Sequence, residues 1–141
     1  MARTLRVALP PGPAGYDAEQ GGVNSLFHRL QFRRLLTYRQ KPGTELADVP
    51  HPVGWLAKSW EVSPDHLEVR VRLREDVVSA AGNPFTAEDV VWSWQRAFGV
   101  RDVGKWVALI GSIRSEHNVL AEDTHTVLFK LSAPNPTLIQ Q

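Results

Sequence analysis

The sequence predicts an α+β fold, because one continuous stretch changes from a two-residue to a helical repeat of apolar side chains. In LEVRVRLRE, apolar residues alternate with charged ones, which is the pattern of a β-strand with one buried face. The run SWEVS precedes it across the turn residues PDH and predicts the partner strand of an antiparallel hairpin. The run TAEDVVWSWQRAFG follows it and predicts a helix.

This helix has recognisable ends in the sequence. Thr86 is a suitable N-cap, and Asp89 stands three residues later, at the position of a capping-box acid. Gly99 supplies the stop. One apolar face is predicted, formed by Val90, Val91, Trp94, Ala97 and Phe98. Trp92 lies off this face, so we expect it to be exposed or to pack against another part of the protein.

Weaker patterns precede the hairpin. Residues 4–9, TLRVAL, predict a short strand that ends at a proline-rich turn. Asn24 can cap a helix formed by SLFHRLQFRRLL, which carries apolar residues at helical spacing. The segment RQKPGTELADVPHP contains three prolines and a glycine and is interpreted as a linker.

The last part of the chain predicts further strands. One strand is expected over residues 112–120 and a second over HTVLFKL, with AEDT as the turn between them. Asn135 and Pro136 are typical of the cap and the first residue of another helix. A chain that ends within such a helix is expected to be a fragment, with a frayed terminus as the alternative.

Length and composition favour one globular domain without a charged partner. The 141 residues carry 16 basic and 15 acidic side chains, a formal net charge of +1. This balance gives no electrostatic argument for nucleic acid or a membrane surface. Cysteine is absent, which excludes disulfides, thiolate nucleophiles and cysteine-based metal sites.

The sequence contains no pattern that supports catalysis or a cofactor. No Ser-His-Asp order, glycine-rich phosphate loop or carboxylate pair stands out, so the protein is not expected to be an enzyme. His117, Asp123 and His125 lie close together, but a solvated turn is favoured over a metal site because their spacing matches no metal motif. A solvated strand face is likewise favoured over a phosphate site for Arg70, Arg72 and Arg74.

Four phrases occur in order along the chain: LAKSWEVSPD, VRLRED, NPFTAEDVVWSWQRA and TVLFKLSAPNP. Together they resemble the N-terminal part of the family 5 extracellular solute-binding proteins, the oligopeptide, dipeptide and nickel receptors of ATP-binding-cassette (ABC) importers. The resemblance covers essentially the whole chain. It implies the first part of lobe I of a two-lobed, type II (cluster C) periplasmic-binding-protein-like fold, with a mixed sheet, β-hairpins and flanking helices. Residues 1–141 would then be a single partial domain that lacks the second lobe and the C-terminal strands.

The resemblance also implies ligand-binding residues. Gln20, Gly21, Gly22 and Val23 fall where peptide-binding members contact the ligand backbone, and glycine permits close main-chain approach. Trp106 falls where such relatives place a ligand-contacting aromatic side chain. From the residues alone two alternatives stay open: the glycines form a flexible turn, and Trp106 is a core side chain.

The resemblance implies the substrate-binding component of an ABC importer, with oligopeptides as the leading ligand class and a membrane permease as partner. It places the parent protein in the periplasm or elsewhere outside the cytoplasm. The start of the chain shows no signal-peptide pattern, so a cytoplasmic ligand sensor is an alternative, and a truncated remnant without function is another. Nickel chelates, sugars and opines stay open as ligands, because specificity also depends on the second lobe.

Overall fold

The computed structural model describes residues 33–44, 47–99, 111–135 and 138–140. Within these ranges six β-strands form two antiparallel sheets, and one α-helix packs on the larger sheet. The elements are β1 (Leu36–Gln40), β2 (Ala47–Gly54), β3 (Ala57–Val62), β4 (Glu68–Leu73), α1 (Ala87–Gly99), β5 (Val119–Asp123) and β6 (Thr126–Lys130). Short 3-10 helices occupy Glu116–Asn118 and Leu138–Gln140. The predicted strand over residues 4–9 and the predicted start of a helix at Asn24 lie outside the described residues.

The small sheet consists of β1 and β2, which pair in antiparallel fashion with Tyr38 opposite Pro52. The interpretation of residues 39–52 as a linker was therefore wrong, because both ends of this segment lie in strands. Two of its prolines, Pro50 and Pro52, belong to β2. A proline cannot donate a ladder hydrogen bond, but a two-stranded sheet has outer edges where that donor is not needed. The predicted helix was also wrong at its end, since Leu36 begins β1 and residues 33–35 are not helical.

The main sheet has the strand order β3-β4-β6-β5, with every described pairing antiparallel. Its first two strands form the hairpin that the alternating pattern predicted, with Trp60 opposite Val71. The α+β class is confirmed. The parallel pairing expected of a mixed sheet is not found among the described strands.

One face of the main sheet forms the hydrophobic core beneath α1. Trp94 of the helix meets Phe129 of β6 edge to face, with ring centroids 5.7 Å apart. The predicted apolar face of α1 is directed to this core, since Val90 and Val91 are buried and Trp94 and Phe98 pack against it. The largest fully buried side chains are Leu73, Ile113, Val69, Val119 and Val127.

The capping-box acid that the sequence predicted at the start of α1 is confirmed, whereas the Thr86 hydroxyl donates to that acid instead of acting as the expected acceptor. The backbone N–H of Thr86 donates to Asp89 Oδ2 at 2.8 Å, and the Thr86 hydroxyl donates to the same oxygen at 3.1 Å. The Ala87 N–H donates to the Thr124 carbonyl at 2.8 Å, which joins the helix to the turn between β5 and β6. Trp92 is 60% exposed, in agreement with its position off the apolar face.

The strand predicted over residues 112–120 was wrong at its beginning, since β5 starts only at Val119. Ser112 has a φ of 63°, and the Ser115 hydroxyl accepts a hydrogen bond from the His117 N–H to cap a 3-10 helix. Both features interrupt an extended strand. The predicted AEDT turn is also displaced, because β5 continues to Asp123 and residues 124–125 form the turn.

A turn begins at Asn135, the residue that the sequence predicted as a helix cap. The carbonyl of Asn135 accepts a hydrogen bond from the Leu138 N–H at 3.2 Å. A 3-10 helix follows at Leu138–Gln140. Within the described ranges, no helix combines the length and apolar character needed to cross a bilayer.

Candidate ligand-facing segments and their anchors

The predicted ligand-binding residues Gln20, Gly21, Gly22, Val23 and Trp106 all lie outside the described residues. Their roles therefore stay predictions. What the structure does describe is the chain that follows each segment. Two hydrogen-bonded anchors occur there, and sequence reasoning found neither.

The first anchor holds residues 34 and 35 against the corner, which we define as residues 54–57 between β2 and β3. The Leu35 carbonyl accepts the N–H of Trp55 at 2.9 Å and the N–H of Ala57 at 3.0 Å. The Arg34 carbonyl accepts the N–H of Leu56 at 3.1 Å. Three successive amides of the corner thus fix the start of the small sheet to the main sheet.

Gly54 is required for the close geometry of this corner. A Cβ added at Gly54 would lie 2.1 Å from the carbonyl oxygen of Ala57, a backbone atom. No side chain fits at that distance without a shift of the backbone. The sequence signal was present in the VGW step, but glycine at a strand end is also compatible with a simple turn.

Arg33 covers one face of the corner. Its guanidinium carbon lies 4.7 Å from the centroid of the Trp55 ring, within the range of a cation–π interaction. Trp55 is half-buried. One face of this indole is therefore occupied by a protein side chain, which disfavours a role for Trp55 as an open stacking platform.

The second anchor joins Ser112 to the chain after β6. The Ser112 carbonyl accepts both the N–H of Ser132 at 2.9 Å and its hydroxyl at 3.0 Å. Arg114 Nε donates to the Ser132 hydroxyl at 3.2 Å. Ile113, between these polar residues, is fully buried. The positive φ of Ser112 arises in this network, and the sequence carries no signal for it because serine rarely adopts that conformation.

The outer face of the main sheet carries paired charges. Arg70 Nε donates to both carboxylate oxygens of Glu122 at 3.1 Å, and its guanidinium lies 3.3 Å from Glu68. Leu128 of β6, which stands opposite Arg70 in the register, is only 5% exposed. Arg74 pairs with Asp76 at 3.0 Å, and its hydrogen bond lowers the pKa of Asp76. These pairings disfavour a phosphate site at Arg70 or Arg74, because each guanidinium already has a carboxylate partner within the fold.

Aspartates close both hairpins of the main sheet. The Ser63 hydroxyl and then the Leu67 N–H donate to Asp65, and these hydrogen bonds lower its pKa. The N–H of His125 donates to Asp123 at 2.7 Å, which lowers the pKa of that carboxyl. Asp123 therefore stabilises the turn between β5 and β6 and is not explained by metal binding. In the part of the chain that the structure describes, no three acidic or histidine side chains converge as metal ligands.

The family comparison agrees with this architecture. The family model described as bacterial extracellular solute-binding proteins, family 5 Middle, matches residues 51–141. The chain belongs to this family. The resemblance that the four phrases carried is thus confirmed.

Individual relatives extend the match. A Brucella ovis protein whose name describes an ABC transporter peptide-binding protein is 31% identical over 138 residues, 98% of this chain and 25% of the relative. Di/tripeptide-binding protein 4 of Pseudomonas aeruginosa is 33% identical over 106 residues, 69% of this chain and 19% of the relative. The chain spans about a quarter or less of the length of these relatives.

A solved structure shows the same fold. The unliganded open form of the periplasmic murein tripeptide-binding protein MppA superposes with a TM-score of 0.73 at 23% identity, covering 90% of this chain and 26% of that one. The predicted fold class, part of a two-lobed periplasmic-binding-protein-like fold, is confirmed.

Proposed function

We propose that this chain is the N-terminal part of lobe I in the substrate-binding component of an ABC importer for oligopeptides. The observation that carries the proposal is the alignment across 98% of the chain with a protein named for ABC-transporter peptide binding, at 31% identity. Such a component binds its ligand and releases it unchanged, so the proposal includes no catalytic step. It also places the parent protein outside the cytoplasm, beside a membrane permease.

In this proposal the chain supplies one wall of a ligand cleft, and the second lobe supplies the other. Gln20, Gly21, Gly22 and Val23 contact the peptide main chain, because glycine leaves room for backbone hydrogen bonds. Trp106 packs on the peptide as an aromatic wall. Backbone contacts are common to all peptides, which favours broad recognition over a single sequence.

The anchors support these roles through their place in the chain. The Leu35 carbonyl is fixed to the corner 12 residues after Val23, and the Ser112 carbonyl is fixed to Ser132 six residues after Trp106. Both are joined to the buried core of the main sheet, through Ala57 and Ile113 respectively. A binding loop positioned by a rigid scaffold retains its geometry between ligand-free and bound states, which reduces the entropy lost on binding.

The first test is peptide binding by the protein isolated from its own cells, measured by titration calorimetry with trialanine. Removing an aromatic wall typically costs about tenfold or more in affinity, so we expect Trp106→Ala to weaken binding by about that factor. Trp92→Ala is the matched control, because Trp92 is 60% exposed on α1, and it is expected to change affinity less than twofold. Equal losses in both variants would contradict the role of Trp106.

The second test identifies the ligand class. Native mass spectrometry of the same material is expected to show the protein with a bound peptide. A nickel chelate, sugar or opine in place of the peptide would overturn the oligopeptide assignment. A ligand-free mass together with no calorimetric response to trialanine would contradict the receptor role and favour the remnant.

A further inference from the structure

The small sheet and the residues that lead into and out of β1 carry cations that lack a described counter-ion. Arg33, Arg34, Arg39 and Lys41 are all exposed. Among the residues that the structure describes, none of these four lies within ion-pair distance of a carboxylate. The described acid on this sheet is Asp48, and its carboxylate is hydrogen-bonded to His51 Nδ1 at 3.1 Å.

The contrast with the main sheet makes this arrangement informative. There Arg70 is paired with Glu68 and Glu122, and Arg74 with Asp76, at 3.0 to 3.3 Å. Arg70 and Arg74 are thus neutralised within the fold. Arg72 and Lys130 have no described ion pair, but residues 57–99 and 111–135 together hold ten acidic and seven basic side chains, whereas the described residues among 33–54 hold one acidic and four basic side chains. The near-zero charge of the whole chain, +1, conceals a local excess of positive charge on one element.

The spacing of the four cations indicates an extended anionic partner. From Arg34 to Lys41 the chain runs along β1, which at the rise of a β-strand covers roughly 20 Å. A single phosphate or carboxylate cannot contact both ends of such a row. A surface with many negative charges can contact cations at both ends of the row.

The surface chemistry favours contact without insertion. The large exposed apolar side chains among the described residues are Val62, Val78, Trp92 and Leu120, and none belongs to the small sheet. An element that enters the hydrocarbon of a bilayer needs such side chains. The small sheet is therefore suited to lie on charged headgroups by electrostatic attraction alone.

We propose that the small sheet, with Arg33, Arg34, Arg39 and Lys41, is a docking surface for a bilayer that contains anionic phospholipids. The importer role proposed above is the reason to choose a bilayer as the anionic plane, and to that extent the inference rests on it. Each cation near an anionic bilayer raises affinity by about fivefold. The contact is reversible and acts within about 10 Å at 0.1 M salt.

The test is co-sedimentation of the full protein with vesicles of phosphatidylglycerol and phosphatidylcholine, beside vesicles of phosphatidylcholine alone. We expect binding to the anionic vesicles and none to the neutral ones, with loss of binding as salt rises. Absence of binding at low salt, or equal binding to both vesicles, would overturn the proposal and favour an acidic protein surface as partner.

Two charge-matched variants sharpen the test. The triple variant R34Q/R39Q/K41Q is expected to lose about a hundredfold in vesicle affinity, since three cations are removed. The control R72Q/R74Q/K130Q removes the same net charge from the main sheet and is expected to bind vesicles nearly as well as the wild type. Equal losses would show that net charge alone decides binding and would overturn the docking surface.

Vesicle binding and peptide binding are separate readouts. The small-sheet variant is expected to bind trialanine as the wild type does, because its three substitutions lie outside the predicted ligand-binding residues. A protein that binds anionic vesicles but not trialanine would keep the docking surface and refute the proposed function. The reverse result would refute only the docking surface.

Discussion

The small sheet and the main sheet differ in what holds them together. The main sheet has four strands, a buried core, a capped helix and ion pairs closed within the fold. The small sheet has two strands, and two-stranded sheets are marginal in isolation. It is held by the corner hydrogen bonds and by Leu35 and Leu36, which pack against the core. Stability thus resides in one region, and an excess of positive charge lies in a region attached to it.

The largest effect is expected from damage to the main sheet. Leu73 is 1% exposed, and truncation of a buried leucine leaves a cavity, so Leu73→Ala should reduce the free energy of unfolding by about 2–5 kcal/mol. Leu36→Ala in the half-buried small sheet is the control, with an expected loss of about 1 kcal/mol. Urea denaturation followed by circular dichroism measures both. Equal losses in unfolding free energy would show that Leu36 of the small sheet contributes as much to the core as Leu73 of the main sheet.

A smaller effect is expected at the junction of the two sheets. Gly54→Ala would place a Cβ 2.1 Å from the Ala57 carbonyl oxygen, and relief of such a clash costs about 1–3 kcal/mol. Gly99→Ala is the matched control, because nothing lies within 4 Å of its Cβ position. Thermal denaturation should separate the two variants. If Gly54→Ala melted with the wild type, the corner would not be the rigid link described above.

The helix cap should matter less, and only within the main sheet. Asp89→Ala removes the acceptor of the Thr86 N–H, which costs about 1 kcal/mol in unfolding free energy. Glu88→Ala removes a neighbouring acid of the first helical turn and is expected to cost only a few tenths of a kcal/mol. If the two variants lost the same unfolding free energy, the loss would reflect a general charge effect at the helix start and not a helix cap.

The smallest effect is expected from pH, because the carboxylates concerned are exposed. Asp65 and Asp123 have pKa values lowered from 3.8 by hydrogen bonds in the folded protein. Their stabilisation is present above pH 3.8 and is lost as pH falls through the lower folded pKa. The double variant Asp65→Asn, Asp123→Asn should therefore lose less stability than the wild type when the denaturation midpoint is followed from pH 6 to 2. Parallel curves would contradict this.

The sequence predicted the main sheet well because its signals are local. The alternation around Val69 and Val71 and the Thr86 to Asp89 cap each depend on a few neighbouring residues, and the structure confirms both. The small sheet was missed for the opposite reason. Pro50 and Pro52 argue against a strand unless its partner and its edges are known, and Leu36 fits a helical repeat until it pairs with Gly54.

The candidate sites show a similar division. The ligand-binding residues came from the family resemblance, and the structure does not test them. The anchors at Leu35 and Ser112 arise from contacts between distant parts of the chain, which no local pattern reports. Unpaired charge is likewise a property of three-dimensional pairing, so the overall balance of 16 basic and 15 acidic residues could not reveal it.

Two backbone amides donate to the Leu35 carbonyl, so their hydrogen exchange can report whether β1 is attached. The N–H groups of Trp55 and Ala57 depend on the same acceptor, so detachment of β1 would expose both in one opening event. Their exchange with deuterium should then proceed at rates governed by a common opening equilibrium. Two amides two residues apart would measure how often the charged hairpin leaves its scaffold.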